Sequence, residues 1–147
     1  MQKLCWVLLA AVLLLLPLGC GHPTEMVALT VTPTTAEVIG VGSGAQVQFQ
    51  ALGQFIRPDE TRDVTNQVTW TSAAPSVVTV DAQGLATTGT NCGSVTITAT
   101  AGQPLVGPIG PGAIIFGTAT FTVADPSNPN CPQPTPTSNR PENSKRN

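Results

Sequence analysis

The chain has 147 residues and a formal net charge of −2 at pH 7, and only 10% of its residues are charged. This length accommodates one domain. Lys and Arg together number six, which leaves no clustered cationic surface and excludes a nucleic-acid-binding protein of the usual basic kind. Thr, Val, Ala, Gly and Pro dominate beyond residue 20, which predicts an all-β domain of short strands and many turns.

Residues 1–19 have the pattern of a signal peptide. Lys3 supplies the positive charge, and the apolar stretch Cys5–Leu16 follows it. This stretch is too short for a transmembrane helix, which needs about 20 apolar residues. We therefore predict a signal-peptide helix ahead of the folded domain.

The end of this segment, Leu16-Pro-Leu-Gly-Cys20, resembles the lipobox of bacterial lipoproteins. That resemblance implies cleavage before Cys20 and acylation of Cys20 on its thiol and new N-terminus, and several acyl chains anchor a protein stably. Gly21 follows the cysteine, which by resemblance to enteric lipoproteins implies the outer membrane where the host has one. The alternative is a secreted or periplasmic protein with a free Cys20 thiol.

A tether, residues 20–26, carries His22, the only histidine of the chain. Because this histidine lies in the tether and not in the domain, no Ser-His-Asp triad can form. A small sandwich also offers little room for the cleft of a glycosidase with paired carboxylates. We predict no enzyme activity, no catalytic residues and no cofactor.

The first half of the domain alternates apolar and polar residues. Residues 27–33 predict a strand with Leu29 and Val31 facing inward, and residues 34–41 predict its short continuation on a second sheet. Residues 45–53 predict one strand with Val47, Phe49 and Ala51 inward.

The next segment, residues 54–65, is rich in charge, which predicts an exposed connector. One interpretation is a cation site at Asp59, Glu60 and Asp63, and the other is a solvated loop with internal ion pairs. We predict no metal site, because this spacing matches no calcium-binding loop.

Residues 67–88 hold two turns between short strands. Val68 and Trp70 share one face of a strand, which places Trp70 in the core. Val77–Val80 predicts a second strand with Val80 inward, the turn at Asp81–Gly84 follows, and Leu85 begins a third strand with its side chain inward.

The residues WTSAAPSVVTVDAQGLAT from Trp70 resemble the signature of the bacterial immunoglobulin-like domain, group 2 (Big_2). Leu29–Pro33, Asp63–Thr65 and Gly93–Thr100 fit the same pattern. The resemblance implies an immunoglobulin-like antiparallel β-sandwich of about seven strands over residues 27–124. It also implies display at the cell surface, often with protein or carbohydrate contact.

Two strands and a tail complete the chain. Residues 94–101 predict a strand with Val95, Ile97 and Ala99 inward, and residues 113–123 predict the last strand. Between them, Leu105, Val106 and Ile109 lie in a Pro- and Gly-rich loop, where they form either a contact site or a self-packed cover. Residues 125–147 are rich in Pro and Asn, which predicts a disordered tail.

Two cysteines remain once Cys5 leaves with the signal peptide and Cys20 takes lipid. In an oxidising compartment, Cys92 and Cys131 predict a disulfide, and two separate thiols are the alternative.

From these features we expect a lipid-anchored, non-catalytic module of the bacterial cell envelope that serves adhesion, scaffolding or spacing. An accessory subunit of an envelope complex and a carbohydrate-binding module are the alternatives. The expected partners are the membrane, through the N-terminal lipid, and a surface protein or polysaccharide, but no nucleic acid.

Overall fold

The computed structural model describes residues 24–102 and 114–136, and this part of the chain is all-β. The signal-peptide helix predicted for residues 1–19 lies outside it. Ten strands are described: β1 (Glu25–Thr32), β2 (Thr35–Ile39), β3 (Gln46–Gln48), β4 (Gln50–Ile56), β5 (Glu60–Asp63), β6 (Thr69–Ser72), β7 (Val78–Val80), β8 (Leu85–Thr88), β9 (Gly93–Ala101) and β10 (Ile115–Ala124).

The strands form three sheets, with the orders β1-β4-β5, β2-β10-β9-β6 and β3-β8-β7. The two three-stranded sheets meet where β3 runs into β4, and both pack against the four-stranded sheet. This arrangement confirms the predicted immunoglobulin-like sandwich. The pairing of β2 with β10 is parallel, although we predicted an antiparallel sandwich, because β2 continues in the direction of β1 after crossing to the other sheet.

The strand predicted over residues 45–53 is two strands separated at Phe49. Val47 of β3 pairs with Ala86 of β8, whereas Ala51 of β4 pairs with Val31 of β1. Phe49 is fully buried, and its backbone N–H donates to the carbonyl of Gly84 at 2.9 Å. The alternation of side chains therefore continues while the backbone changes its hydrogen-bonding partner.

The connector predicted over residues 54–65 is wrong in part: the segment is charged, largely exposed and contains an Arg62–Glu60 ion pair as predicted, but it also contains the end of β4 and all of β5. These strands pair in antiparallel register from Leu52–Asp63 to Phe55–Glu60. Phe55 points into the core, while most of β5 is exposed. A charged edge strand of this kind discourages pairing with another chain. Together with the split at Phe49, β5 raises the strand count above the predicted seven.

The core lies between the sheets and includes most of the residues predicted to face inward. Leu85 was predicted to be buried, but its neighbour Ala86 takes the buried position, since a shift of one residue reverses the face of a strand. Val47 and Val80 are partly buried rather than central. The largest fully buried side chains are those of Met26, Val31, Phe49, Val64, Val78, Ile97, Phe121 and Val123.

The path from β1 to β2 runs beside β10 in the same direction. An added Cβ at Gly117, near the start of β10, would lie 2.7 Å from the carbonyl oxygen of Leu29 in β1. At the other end, the N–H of Gly40 after β2 donates to the carbonyl of Ala124 at 2.9 Å. The chain therefore enters the sandwich at the end where β10 begins, which we call the entry pole.

The opposite end, where β10 finishes and β9 begins, is the exit pole. Val123 pairs with Gly93 there. The ten residues of β10 span about 30 Å at the usual rise of a strand. Entry and exit of the folded part are thus separated by the length of the domain.

Residues 125–136 are placed against the exit pole, in contrast to the disorder that we predicted for residues 125–147. The Asp125 carboxylate accepts hydrogen bonds from the backbone N–H of Ser127, at 2.9 Å, and from its hydroxyl, at 2.6 Å. The Gln133 amide donates to the carbonyl of Cys131 at 3.2 Å. Local hydrogen bonds therefore shape this segment, and residues 137–147 lie outside the described part.

Candidate contact surfaces

The Trp70 side chain is held at the centre of the sandwich by a hydrogen bond as well as by packing. It is 8% exposed, and its indole N–H donates to the carbonyl of Thr65 at 2.9 Å. The prediction that Trp70 belongs to the core is confirmed, so this residue is not available as a binding aromatic.

Thr65 links the Trp70 strand to β4 and β5. Its hydroxyl accepts the backbone N–H of Ala51 at 2.9 Å and donates to the Asp63 carboxylate at 2.6 Å. The backbone N–H of Thr65 donates to the same carboxylate at 2.9 Å. These two hydrogen bonds, that of the side chain first, lower the pKa of Asp63 below its ordinary value. The Asp63-Val64-Thr65 motif therefore has a structural role: its hydrogen bonds hold the chain where it turns from β5 toward β6, and we call this segment the corner.

The turn from Asp81 to Gly84 has an equally structural role. The Asp81 carboxylate accepts the backbone N–H groups of Gln83 and Leu85, each at 2.9 Å. Gly84 has a φ of 78°, and an added Cβ would lie 2.6 Å from the Phe49 carbonyl oxygen and 3.0 Å from the Trp70 ring. Only glycine fits this position without displacing its neighbours.

The acidic residues that we weighed as a cation site do not converge. Glu60 pairs with Arg62, whose guanidinium lies 4.8 Å from the centre of the Phe55 ring, and Asp63 is committed to Thr65. Within residues 24–102 and 114–136, no group of three or more His, Cys, Asp or Glu side chains could hold a metal ion. Asp59 and Glu60 instead line an open depression of about 500 Å³ at the entry pole, beside Val27.

A disulfide joins Cys92 to Cys131, with a Cα–Cα distance of 5.6 Å. Cys92 directly precedes β9, and Cys131 lies seven residues beyond β10. The bond therefore fixes the outgoing chain to the exit pole.

The outgoing chain has a second attachment at Glu37 of the edge strand β2. The Glu37 carboxylate accepts the backbone N–H of Thr135 at 2.9 Å and also its hydroxyl. These hydrogen bonds, that of the hydroxyl first, lower the pKa of Glu37 below its ordinary value. Pro134 and Pro136 line a shallow groove there with Ile39, so a segment with few N–H donors lies against the edge strand.

Large apolar side chains are exposed at both poles, but unequally. Ile114 and Phe116 are 65% and 66% exposed at the entry pole, and Val27 nearby is 48% exposed. Ile39 at the exit pole is 59% exposed. Sequence analysis missed all four. Ile39 and Phe116 lie on the outward side of β2 and β10, and Ile114 directly precedes β10, where only their positions and not their residue types indicate exposure. Val27 is exposed because the register of β1 shifts between Met26 and Ala28.

The outer face of the four-stranded sheet is lined by hydroxyl groups. Thr118 pairs with Thr98, which pairs in turn with Thr71. Thr120 pairs with Thr96 and with Thr35. Among the described residues on this face, Glu37 is the only charged one, so we call it the threonine face.

The predicted lipidation site Cys20 and the possible contact residues Leu105, Val106 and Ile109 lie outside the described residues, as does His22 of the tether. The three contact residues belong to the segment that joins Gly102 to Ile114. Across residues 24–102 and 114–136, no helix has the length and apolar character needed to cross a membrane.

Comparison with protein families gives a match to the model described as bacterial Ig-like domain (group 2), over residues 26–106. The matched range ends before β10, although β10 pairs with both β9 and β2, so the folded unit extends beyond it. No curated protein matches the sequence.

Proposed function

The chain belongs to the bacterial Ig-like domain (group 2) family, and from this premise we propose that it is a lipid-anchored spacer or adhesion module of the cell envelope. Domains of this family are non-catalytic surface modules as a rule. In the proposed arrangement, Cys20 holds the protein to the membrane and the sandwich carries the following chain outward.

The separation of entry and exit is the observation that best supports a spacing role. Thr135, where the outgoing chain is bonded to Glu37, is level with Thr122, so about 23 Å of β10 separates it from Ile115 at the entry pole. The disulfide at Cys131 and the hydrogen bonds between Thr135 and Glu37 fix the direction in which the chain leaves.

The described surface offers little to catalysis. Its carboxylates serve hydrogen bonds and ion pairs at Glu37, Glu60 and Asp63, and the only histidine of the chain is His22, in the tether. The depression beside Val27 and Asp59 is open to solvent, whereas substrate pockets enclose most of their ligand. These features favour a passive module over an enzyme.

The first test is the intact mass of the protein extracted from bacterial membranes. We expect a chain that begins at Cys20 and carries acyl chains, and we expect reduction to add two hydrogens at Cys92 and Cys131. The matched control is Cys20→Ser, which should abolish acylation and release the protein from the membrane fraction. An unlipidated wild-type mass would overturn the anchor and leave a secreted or periplasmic protein.

The threonine face favours a second candidate, the binding of an uncharged polysaccharide. Its hydroxyl groups both donate and accept hydrogen bonds, as sugar hydroxyl groups do. With Glu37 as the single described charge and already bonded to Thr135, this face has no cations to attract an anionic polymer.

This candidate is tested by co-sedimentation with insoluble cellulose and chitin. Thr98→Lys and Thr118→Lys should reduce binding at least tenfold, while Thr30→Lys, on the outer side of β1, should leave it unchanged. Absence of wild-type binding to either polymer, or equal loss in all three variants, would exclude this use of the face.

A further inference from the structure

We infer that the exposed apolar side chains at the entry pole, those of Ile114, Phe116 and Val27, contact the surface of the same membrane that holds Cys20. This inference rests on the proposed lipid anchor and adds a second, non-covalent contact to it. The membrane would then set the orientation of the domain as well as its position.

The distribution of exposed apolar groups is the first argument. Three of the four large exposed hydrophobic side chains described lie at the entry pole. The fourth, Ile39, lies at the exit pole beside Pro134 and Pro136. Among residues 24–102 and 114–136, Pro134 and Pro136 thus lie beside Ile39, whereas the three side chains at the entry pole remain exposed.

The length of the tether is the second argument. Four residue steps separate Cys20 from Thr24, the first residue described, and four steps of chain reach at most about 14 Å. The exit pole lies about 30 Å further along the domain. An acylated Cys20 therefore keeps the entry pole at the membrane surface and keeps the exit pole away from it.

The geometry of the start of β10 is the third argument. Ile115 packs against the core, so Ile114 and Phe116, two residues apart, both face outward. Apolar side chains on one face of an element suit the boundary between headgroups and acyl chains. Val27 is at the same pole, in the irregularity of β1 between Met26 and Ala28.

The contact need not be strong, because the anchor already holds the two surfaces together. A second contact made within a tethered complex benefits from a high effective concentration. It also does not depend on charge: Arg57 pairs with Glu25, and Arg62 pairs with Glu60. We therefore expect a contact with neutral lipid that persists at high salt.

The test uses acylated protein in phosphatidylcholine vesicles whose acyl chains carry bromine, which quenches tryptophan fluorescence on contact. Two variants are compared: Phe116→Trp at the entry pole, and Ile39→Trp as the matched control, an exposed apolar residue at the exit pole. Trp70 is buried and contributes the same background to both. Near-ultraviolet circular dichroism reports whether each variant is folded.

We expect brominated lipid to reduce the emission of the tryptophan at position 116 more than about twofold, with no change for the tryptophan at position 39. The same result should hold at high and low salt. Replacing Ile114 and Phe116 by serine in a Val27→Trp background should remove the quenching of that tryptophan while the protein still floats with the vesicles.

The outcomes separate this inference from the anchor. Protein that floats with vesicles but shows no quenching at position 116, or equal quenching at positions 116 and 39, overturns the membrane contact and leaves the anchor standing. Protein that does not float at all overturns both.

Discussion

The indole N–H of Trp70 donates a hydrogen bond of 2.9 Å to the backbone carbonyl of Thr65. Thr65 is itself bonded to Ala51 through its hydroxyl group. Through Thr65, the largest side chain of the core is therefore connected to two strands of the opposite layer, to β4 at Ala51 and to β5 at Asp63. Among the described residues no buried side-chain nitrogen or oxygen lacks a partner, which gives each of these bonds a cost when it is broken.

Replacing Trp70 with alanine should lower the free energy of unfolding by about 3–5 kcal/mol, because it removes a large buried ring and leaves a cavity. Trp70→Phe should cost less, since the ring is partly retained and only the Thr65 carbonyl loses its donor. Urea unfolding of both variants measures the difference. Phe116→Ala is the control, because this ring is 66% exposed; an unchanged midpoint for Trp70→Ala would show that the ring does not support the core.

Thr65→Val, a change of similar shape, should cost about 1–3 kcal/mol, because the buried N–H of Ala51 loses its acceptor. The same change should raise the pKa of Asp63 toward its ordinary value, because the hydroxyl bond is the main cause of the lowered pKa. A titration followed by NMR reports this pKa. A valine variant with wild-type stability and an unmoved Asp63 pKa would contradict the role assigned to the corner.

Stability should also fall in acid. The carboxylates of Glu37, Asp63 and Asp125 all have lowered pKa values in the folded protein. Each therefore stabilises the fold above the ordinary pKa of its residue type, and this contribution is lost as the pH falls through the folded value. The urea midpoint should hold between about pH 7 and 5 and decline below about pH 4. A midpoint that rises on acidification would contradict the assignment.

Gly84→Ala should be much more costly than Gly42→Ala, although both glycines have positive φ, 78° and 66°. Both changes force alanine into the left-handed region, at roughly 1–2 kcal/mol. At Gly84 the new methyl group also meets the Phe49 carbonyl oxygen at 2.6 Å, whereas nothing lies within 4 Å of it at Gly42. We expect the difference in unfolding free energy to be about 1–3 kcal/mol, and equal losses would show that the close contact relaxes without cost.

Much of the sandwich could be predicted from alternation of residue types, but not the changes of sheet. The pattern through Val47, Phe49 and Ala51 is regular, and the exchange of partners at Phe49 leaves it intact. The two-residue alternation of apolar and polar side chains indicates which face of a sheet a residue occupies, but it does not indicate which strand that residue pairs with. Leu85 shows the opposite failure: the turn at Asp81 sets a register in which Ala86 is buried.

Composition was misleading in two segments of the chain. The charges around Arg57 and Glu60 suggested a connector, yet they flank and form an edge strand that pairs with β4. The Pro-rich chain after Asp125 suggested disorder, yet Thr135 bonds to Glu37, 98 residues earlier. The partner of Thr135 is far away in sequence, so local composition could not reveal that contact. The partner of β5 is close, from Phe55–Glu60 to Leu52–Asp63, but charged residues alone do not distinguish an exposed edge strand from a loop.

Reducing the disulfide between Cys92 and Cys131 should lower the free energy of unfolding by about 4 kcal/mol, the loop-entropy value for a ring of this size. The sequence separation is 39 residues. Urea unfolding with and without reductant measures the loss, and the double variant Cys92→Ser with Cys131→Ser should match the reduced protein and no longer respond to reductant. A reductant effect that persists in the double variant would assign the loss to another cause.

The same bond should limit how far the domain extends under tension. Load applied between the two ends of the chain reaches Cys92 through Cys131, so β9, β10 and the segment between them stay inside a closed covalent ring. Single-molecule stretching of the full chain should give an unfolding step that is longer by about 130 Å after reduction, the contour length of 39 residues. The segments beyond the ring contribute equally in both states and cancel. Steps of equal length with and without reductant would show that the ring does not carry the load, whereas the expected difference would give the proposed spacer a redox-dependent maximum length.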